Sequence, residues 1–305
     1  MITVFGSINI DLVCRTAHLP RPGETVPGSD YQLIPGGKGA NQALAARRAG
    51  ASVRMIGAVG ADDMAAIALG ELEKDGVDLR ALVRRGPTTG MAVITVDEAA
   101  ENTIVLSPGA NARLRAADLA ASLPGAGDTL LLQMEVPFAE SLAAARMARA
   151  AGARVLLSIA PFLPIERAAL AEVDVILVNE TEAGDLAGHL GLAAGSSGVE
   201  TVGILAAALG RTVIATLGSE GAVAATGTEE ILVPALPVVP VDTTGAGDTF
   251  AGVLAALLDQ GESLETALQF AAAAGSLSCT KEGAQPSFPY RDAIEAALDG
   301  APSLP

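Results

Sequence analysis

Residues 242–250 read DTTGAGDTF, and the reading of this stretch decides what kind of fold surrounds it. A proline-punctuated apolar run, Val233–Val241, leads in, and an apolar Ala/Leu-rich run, Phe250–Leu258, leads out. The stretch is therefore a loop feeding directly into a helix. Gly245 and Gly247 flank Ala246, so the backbone can turn sharply and an anion can reach the amides without side-chain obstruction. The first free N–H groups of the helix point to the same spot, with the positive end of its dipole behind them. Asp248 stands at the mouth of this anion hole. A carboxylate would repel a phosphate there, but it suits a base that takes a proton from a hydroxyl attacking a bound phosphate. The plainer reading is that Asp248 caps the helix, and the segment alone leaves the two level.

Outward from this loop, short β-rich runs alternate with longer amphipathic ones, the pattern of parallel βαβ units. Strands are predicted at Thr3–Gly6, Val53–Val59, Leu130–Gln133, Val155–Ile159, Val175–Val178 and Val213–Thr216. Helices are predicted at Ala40–Arg48, Met64–Lys74, Ala139–Ala151, Val199–Leu209, Thr249–Asp259, Leu264–Leu277 and Arg291–Leu298. Two regions break the rhythm: Asp11–Gly36, dense in Pro and Gly, and Gly90–Ser107, which reads as two strands around a polar turn. Together they suit a small antiparallel sheet standing off the main one, where a lid would lie.

Composition narrows the function. Across 305 residues the net charge is −16, which argues against a nucleic-acid or anionic-membrane surface, so phosphates must be handled locally by amides, a few cations and metal. No stretch approaches the ~20 apolar residues of a membrane-spanning helix, and the first residues, MITVFGSINID, read as a strand rather than a signal peptide. Two cysteines, Cys14 and Cys279, fit free thiols in a reduced cytoplasmic protein. Two histidines, His18 and His189, stand outside metal-ligand spacing, so a base is expected to be a carboxylate.

Further polar clusters gather where strands end. Gly36-Gly37-Lys38-Gly39-Ala40-Asn41 is a second glycine-rich turn entering a helix, with Lys38 and Asn41 offering donors to hydroxyls. It is no Walker A loop, since Gly39 follows the lysine where Ser or Thr should stand. Asn9 and Asp11 follow the first strand, in the crevice where open α/β sheets bind ligands. Glu135, the run Asn179-Glu180-Thr181-Glu182, and the run Thr216-Leu217-Gly218-Ser219-Glu220-Gly221 follow later strands. Each alone is an ordinary turn or cap. Converging on one rim, they suggest hydroxyl recognition plus phosphate handling.

Carried by GSINID, GETVPG, GGKGANQA, PGAN, QMEVP, NETEA, TLGSEG, DTTGAGDTF and KEGAQPSFP, the chain resembles, nearly end to end, the phosphofructokinase-B-type family of sugar and nucleoside kinases, and within it the ribokinase branch. The resemblance implies an α/β fold: a Rossmann-like three-layer α/β/α core with a mostly parallel sheet, as one domain over 1–305, plus a β lid at about 12–36 and 90–107 that also serves as a dimer contact. It implies that Asp248 is the base and that Gly245, Ala246 and Gly247 supply the anion hole. Asn9, Asp11, Gly37, Lys38, Asn41 and Glu135 would hold the sugar. Asn179, Thr216, Gly218, Ser219, Glu220, Gly221, Gly247 and Ala272 would line the ATP site, with Glu182 meeting magnesium through water. A potassium ion would sit among Asp242, Thr244, Ser278, Lys281, Gly283 and Ser287.

Three places depart from the pattern, one of them Pro35, which stands before the Gly36-Gly37 turn and would stiffen the lid hinge. Ser158-Ile159-Ala160-Pro161 stands where these kinases usually carry Asn-Pro-Ala-Pro, and Ala272 stands where an adenine-contacting His or Asn is common. The expected activity is ATP-dependent phosphorylation of a sugar, D-ribose first. Another pentose, deoxyribose, a ketohexose or a nucleoside as acceptor, and a non-catalytic ribose sensor, remain open alternatives.

Overall fold

The computed structural model describes residues 1–99 and 101–300; residue 100, in the turn of the expected lid, and 301–305 lie outside them. Along the chain the strands are β1 (Ile2–Phe5), β2 (Asn9–Arg15), β3 (Gln32–Gly36), β4 (Val53–Ile56), β5 (Ala58–Val59), β6 (Val83–Arg84), β7 (Gly90–Val96) and β8 (Asn102–Ser107), then β9 (Thr129–Leu132), β10 (Arg154–Ser158), β11 (Val175–Asn179), β12 (Thr212–Thr216), β13 (Ala222–Ala225) and β14 (Glu230–Val233). The helices are α1 (Lys38–Arg48), α2 (Met64–Lys74), α3 (Phe138–Ala150), α4 (Arg167–Leu170), α5 (Glu180–His189), α6 (Gly198–Leu209), α7 (Ala246–Asp259), α8 (Leu264–Ser278) and α9 (Arg291–Asp299).

An eight-stranded sheet runs in the order β14-β13-β12-β11-β10-β9-β1-β4. From β4 to β12 neighbouring strands are parallel; β13 and β14 close that edge antiparallel. The parallel strands are mostly apolar because both their faces are covered, with Thr3 and Arg54 as polar exceptions inside them. Leu131, Leu156 and Ile214 pack with α1, α2, α7, α8 and α9 on one face. Their strand neighbours Leu130, Leu132, Val155, Leu157, Val213 and Ala215 pack with α3, α5 and α6 on the other. This is the expected three-layer core, and among the described residues no helix is long and apolar enough to cross a membrane.

A second, four-stranded sheet has the order β3-β2-β7-β8. Pro35, which cannot donate a ladder hydrogen bond, lies on its edge strand β3. Strand β8 is exposed along its length, and Val93, Ile104, Val105, Leu106 and Tyr31 leave large apolar side chains in solvent.

The structure departs from the sequence expectation in four places. The small sheet is mixed rather than antiparallel, because its two central strands, β2 and β7, pair in parallel. The predicted strand 53–59 is broken at Gly57: β4 stays in the main sheet while β5 leaves it to pair with β6. A Cβ at residue 57 would come within 2.7 Å of Ile8 Cδ1, so the glycine admits the turn of chain after β1. The hairpin β13–β14 was not foreseen, because the first strand, AVAA, is buried on both faces and carries no apolar–polar alternation. Nor was α5, whose apolar face is diluted by Gly184 and Gly188. It begins instead on a reciprocal cap in which Asn179 Oδ1 accepts from Glu182 N and Glu182 Oε2 accepts from Asn179 N, both at 2.8 Å.

Helices α1 and α7 lie in close contact, and Gly252 is what allows it. A methyl group there would overlap the Gln42 carbonyl oxygen and approach Ala45 Cβ to 2.7 Å. Gly252→Ala is therefore expected to destabilise the protein by about 1–3 kcal/mol, because backbone must move. Gly70→Ala, on α2 with nothing within 4 Å of its Cβ, is expected to stabilise by roughly 0.5–1 kcal/mol through helix propensity. Urea-unfolding midpoints of the two variants check the pair.

Candidate active site

Helix α7 begins earlier than its sequence pattern suggests, at Ala246, with Gly245 as N-cap in the left-handed conformation at φ 78°. Asp248 is thus the third residue of the helix and not its cap. Its side chain makes no capping bond; it accepts from Asn41 Nδ2 at Oδ2 and from Gln42 Nε2 at Oδ1, each at 2.9 Å. The capping alternative is thereby excluded. Of the three amides expected to form the anion hole, that of Ala246 donates to Thr243 O at 3.2 Å. Among the described residues, the amides of Gly245, Gly247 and Asp248 have no acceptor. The free set at the helix start therefore shares Gly245 and Gly247 with the expected set and has Asp248 in place of Ala246.

Asp248 borders a cavity of about 240 Å³ lined also by Lys38, Ser158, Asn179, Glu182, Thr243 and Gly247. A second cavity, of about 540 Å³, adjoins it at Thr216, Thr243, Gly247 and Phe250. Its walls are mostly apolar: Leu236, Pro237, Val238, Pro240, Phe250 and Ala272, with Gly218, Ser219 and Gly221 at one side. Glu220 belongs to the same turn but does not line this cavity. Ser158, the side chain at the departure from the family pattern, faces the smaller cavity.

The residues expected to meet a sugar converge beside Asp248. Glu135 Oε2 accepts from the Lys38 amide at 3.1 Å and from Ser7 Oγ at 2.6 Å, which ties the glycine-rich turn to the end of β9. Gly37, with φ 90°, leaves no room for a side chain against the Ile8–Asn9 backbone. Asn9 Oδ1 accepts from Asn111 Nδ2 at 2.7 Å, and Asn111 also clamps both the N–H and the C=O of Ile8. Asn41 uses one N–H and one lone pair within the protein: its oxygen accepts from Gln285 Nε2 and its nitrogen donates to Asp248.

Electrostatics mark the same place. Burial, then the neighbouring Glu135 and Asp248, push the Asp11 carboxyl up to about 6. The Asp248 carboxylate raises Lys38 above the usual lysine range against the opposing effect of burial. Burial also raises Glu182, one of whose oxygens is committed to capping α5.

Asp242 lies in the loop that leads into α7. Burial pushes its carboxyl up, but the Thr244 hydroxyl and amide and the Gly283 amide outweigh that and hold it below the usual range. Ser278 and Ser287 donate to the carbonyls of Gly275 and Ala284, leaving hydroxyl oxygens as further hard donors. This oxygen-rich set suits a hard cation. The cationic side chain of Lys281, which borders a separate cleft with Arg48 and Lys74, leaves only its carbonyl for such a role.

Sequence reading passed over Ser7, Gln42, Asn111, Gln133 and Gln285, all buried polar residues that touch the site's own side chains rather than open space. The signal available was a glutamine closing an apolar strand at 133 and a second amide beside Asn41.

A family model described as pfkB family carbohydrate kinase matches residues 1–291. The chain is 37% identical over 303 residues to a ribokinase of Haemophilus influenzae, covering 98% of this chain and 99% of that protein. It is 34% identical over 300 residues to a deoxyribokinase of Salmonella typhi, with 94% and 95% of the two chains covered. Among solved structures, an Arabidopsis thaliana ribokinase complexed with ribose and ATP superposes with a TM-score of 0.89 at 31% identity, over 98% of this chain and 99% of that one. A match of this extent to both sequence and fold places the chain in the pfkB family of carbohydrate kinases.

Proposed function

We propose that this chain transfers the γ-phosphoryl group of ATP to the primary hydroxyl of D-ribose, giving ribose 5-phosphate and ADP. The observation that carries the reading is the position of Asp248: 7% exposed, on the wall of the polar cavity and beside free helix amides, next to Gly247 where that cavity adjoins the apolar one. The similarity to ribokinases, one of them described with ribose and ATP, supports the choice of substrates.

In this mechanism Asn9, Asp11, Lys38, Glu135 and the Gly37 backbone hold the sugar hydroxyls. The apolar shelf around Leu236, Val238 and Ala272 takes the adenine, and Thr216, Gly218, Ser219 and Gly221 the rest of the nucleotide. Asp248 accepts the hydroxyl proton as that oxygen attacks the γ-phosphorus, and the bond to the β-phosphate oxygen breaks. The Gly245, Gly247 and Asp248 amides take up charge developing on the transferring group. Magnesium, held through water by Asn179 and Glu182, would neutralise phosphate charge, and potassium among Asp242, Thr244, Ser278, Lys281, Gly283 and Ser287 would support the anion hole. The β2-β3-β7-β8 sheet would cover the sugar, and the apolar side chains exposed along its edge strand β8 support pairing with a second copy. Use of ATP and the two free cysteines support a cytoplasmic setting.

A second reading, deoxyribose as acceptor, is favoured by the similarity to the deoxyribokinase. ATP consumption with D-ribose, 2-deoxyribose, hexoses and nucleosides, with magnesium and with or without potassium, separates them. Turnover on D-ribose that falls at least tenfold without the 2-hydroxyl supports the first reading; turnover on a different acceptor alone overturns it.

Asp248→Asn is expected to lower kcat by on the order of 10³-fold or more while calorimetric sugar affinity stays within a few-fold. Retained turnover in that variant would remove the base assignment.

Asp11 carries a pH signature. Its native pKa, about 6, lies above the unfolded value, so between roughly pH 4 and 6 the native state binds more protons than the unfolded one. Stability then falls as pH rises through that window, and the penalty is complete above it. Asp11→Asn is expected to raise stability at pH 7 by up to about 3 kcal/mol, to change little at pH 4, and to weaken sugar binding. Melting temperatures at the two pH values, with sugar titrations, check this; a variant less stable at pH 7 contradicts it.

A further inference from the structure

We propose that Gln42 is a positioning residue for Asp248: backed by Gln133, it holds one carboxylate oxygen while Asn41, backed by Gln285, holds the other. The inference rests on the reading of Asp248 as the base.

Residues 41 and 42 are consecutive on α1 and lie about 100° apart around it, so their side chains ordinarily address different neighbours. Here both reach one carboxylate from its two sides, Asn41 at Oδ2 and Gln42 at Oδ1. Behind them Gln133 Nε2 donates to Gln42 Oε1 at 2.7 Å, and Gln285 Nε2 donates to Asn41 Oδ1 at 3.1 Å. Gln42, Gln133 and Gln285 are each fully buried.

Every amide in both arms directs its N–H towards Asp248 and its oxygen away. An ionised carboxylate can only accept, so it fixes the sense of each arm. The unpaired acceptors therefore fall at the outer ends: among the described residues, Gln133 Oε1 and Gln285 Oε1 have no hydrogen-bond partner. Apolar side chains of similar size would fill this space without leaving buried oxygens unpaired, so packing alone does not account for the glutamines. Gly6 makes the arrangement possible, because a methyl group there would overlap Gln133 Oε1.

Held at both oxygens, the carboxylate cannot rotate without breaking two buried hydrogen bonds. Its remaining lone pairs then face the cavity that Lys38 and Gly247 share with it. A misplacement of about 1 Å in a catalytic group can cost 10²-fold in rate. The Gln285 arm also reaches the loop that carries Gly283 and Ser287, and Arg48 pins that loop by donating to the carbonyls of Gln285 and Phe288.

The test is Gln42→Met, which keeps length and bulk and removes both hydrogen bonds. The expected result is a kcat lower by about 10- to 100-fold, with KM for sugar and ATP within about threefold. In the Asp248→Asn background the same substitution should leave the residual rate unchanged. An unchanged kcat, a parallel shift of kcat and KM, or a full additional loss in the Asp248→Asn background overturns the proposal. If Gln42→Met does not fold, Gln133→Met removes the outer bond of the same arm and should lower kcat by a smaller factor; no effect there overturns the proposal. A crystal structure of either variant decides independently of turnover, since an unmoved Asp248 carboxylate overturns it and a rotated one supports it. Silence of the wild type towards every acceptor would sink the kinase reading alone, and the structural readout would still decide the positioning role.

Discussion

A carboxylate buried where two helices cross is the constraint around which this molecule is arranged. Isolated in a low-dielectric interior, the charge of Asp248 would be prohibitively unfavourable. It is tolerated because two amides from α1 donate to it, the α7 N-terminus lies under it, and Lys38 stands nearby. None of this works unless α1 and α7 approach closely, which is why Gly252 faces the Gln42 backbone; Gly39 in turn lets the start of α1 lie against the Ser7 backbone. Local backbone permissiveness thus sets the helix spacing, and the helix spacing sets the chemistry.

The same economy explains how a chain of net charge −16 can handle phosphate. Its site is not a basic field. Free amides at one helix start, one lysine and a hard-oxygen set around Asp242 act over a few ångströms, where screening by solvent is weakest. Four carboxylates, Asp11, Glu135, Glu182 and Asp248, crowd around Lys38, and Asp11 is raised first by burial and then by its neighbours Glu135 and Asp248, so its charge is held there at a cost. Strain of this kind is expected at a site arranged to bind hydroxyls and a metal-bearing nucleotide rather than to maximise stability.

The second sheet follows from β1. That strand ends at Phe5, and after Gly6-Ser7-Ile8 the chain enters β2, so Asn9 and Asp11 belong to the small sheet while Glu135 and Asp248 belong to the core. A sugar held by all four would join the two sheets. Asn111, clamping Ile8 and Asn9 from the turn after β8, fixes the joint between them.

The sequence by itself determined the parallel core, because strands buried on both faces must be apolar and short, and helices covering them must be amphipathic. It also marked the candidate site, since glycine-rich turns and polar residues at strand ends are written in local residue types: DTTGAGDTF and GGKGANQA lead into α7 and α1, and Glu135, Asn179 and Thr216 stand at or just after the ends of β9, β11 and β12. Only the tertiary structure decided what required two distant segments. The start of α7 at Ala246, the non-capping role of Asp248 and the free amides at Gly245, Gly247 and Asp248 depend on where α1 lies. The amide arms through Gln42, Gln133 and Gln285 join residues up to 244 positions apart. No periodicity records such pairs, because a buried hydrogen bond between side chains is a property of how surfaces meet and not of how either one is spelled.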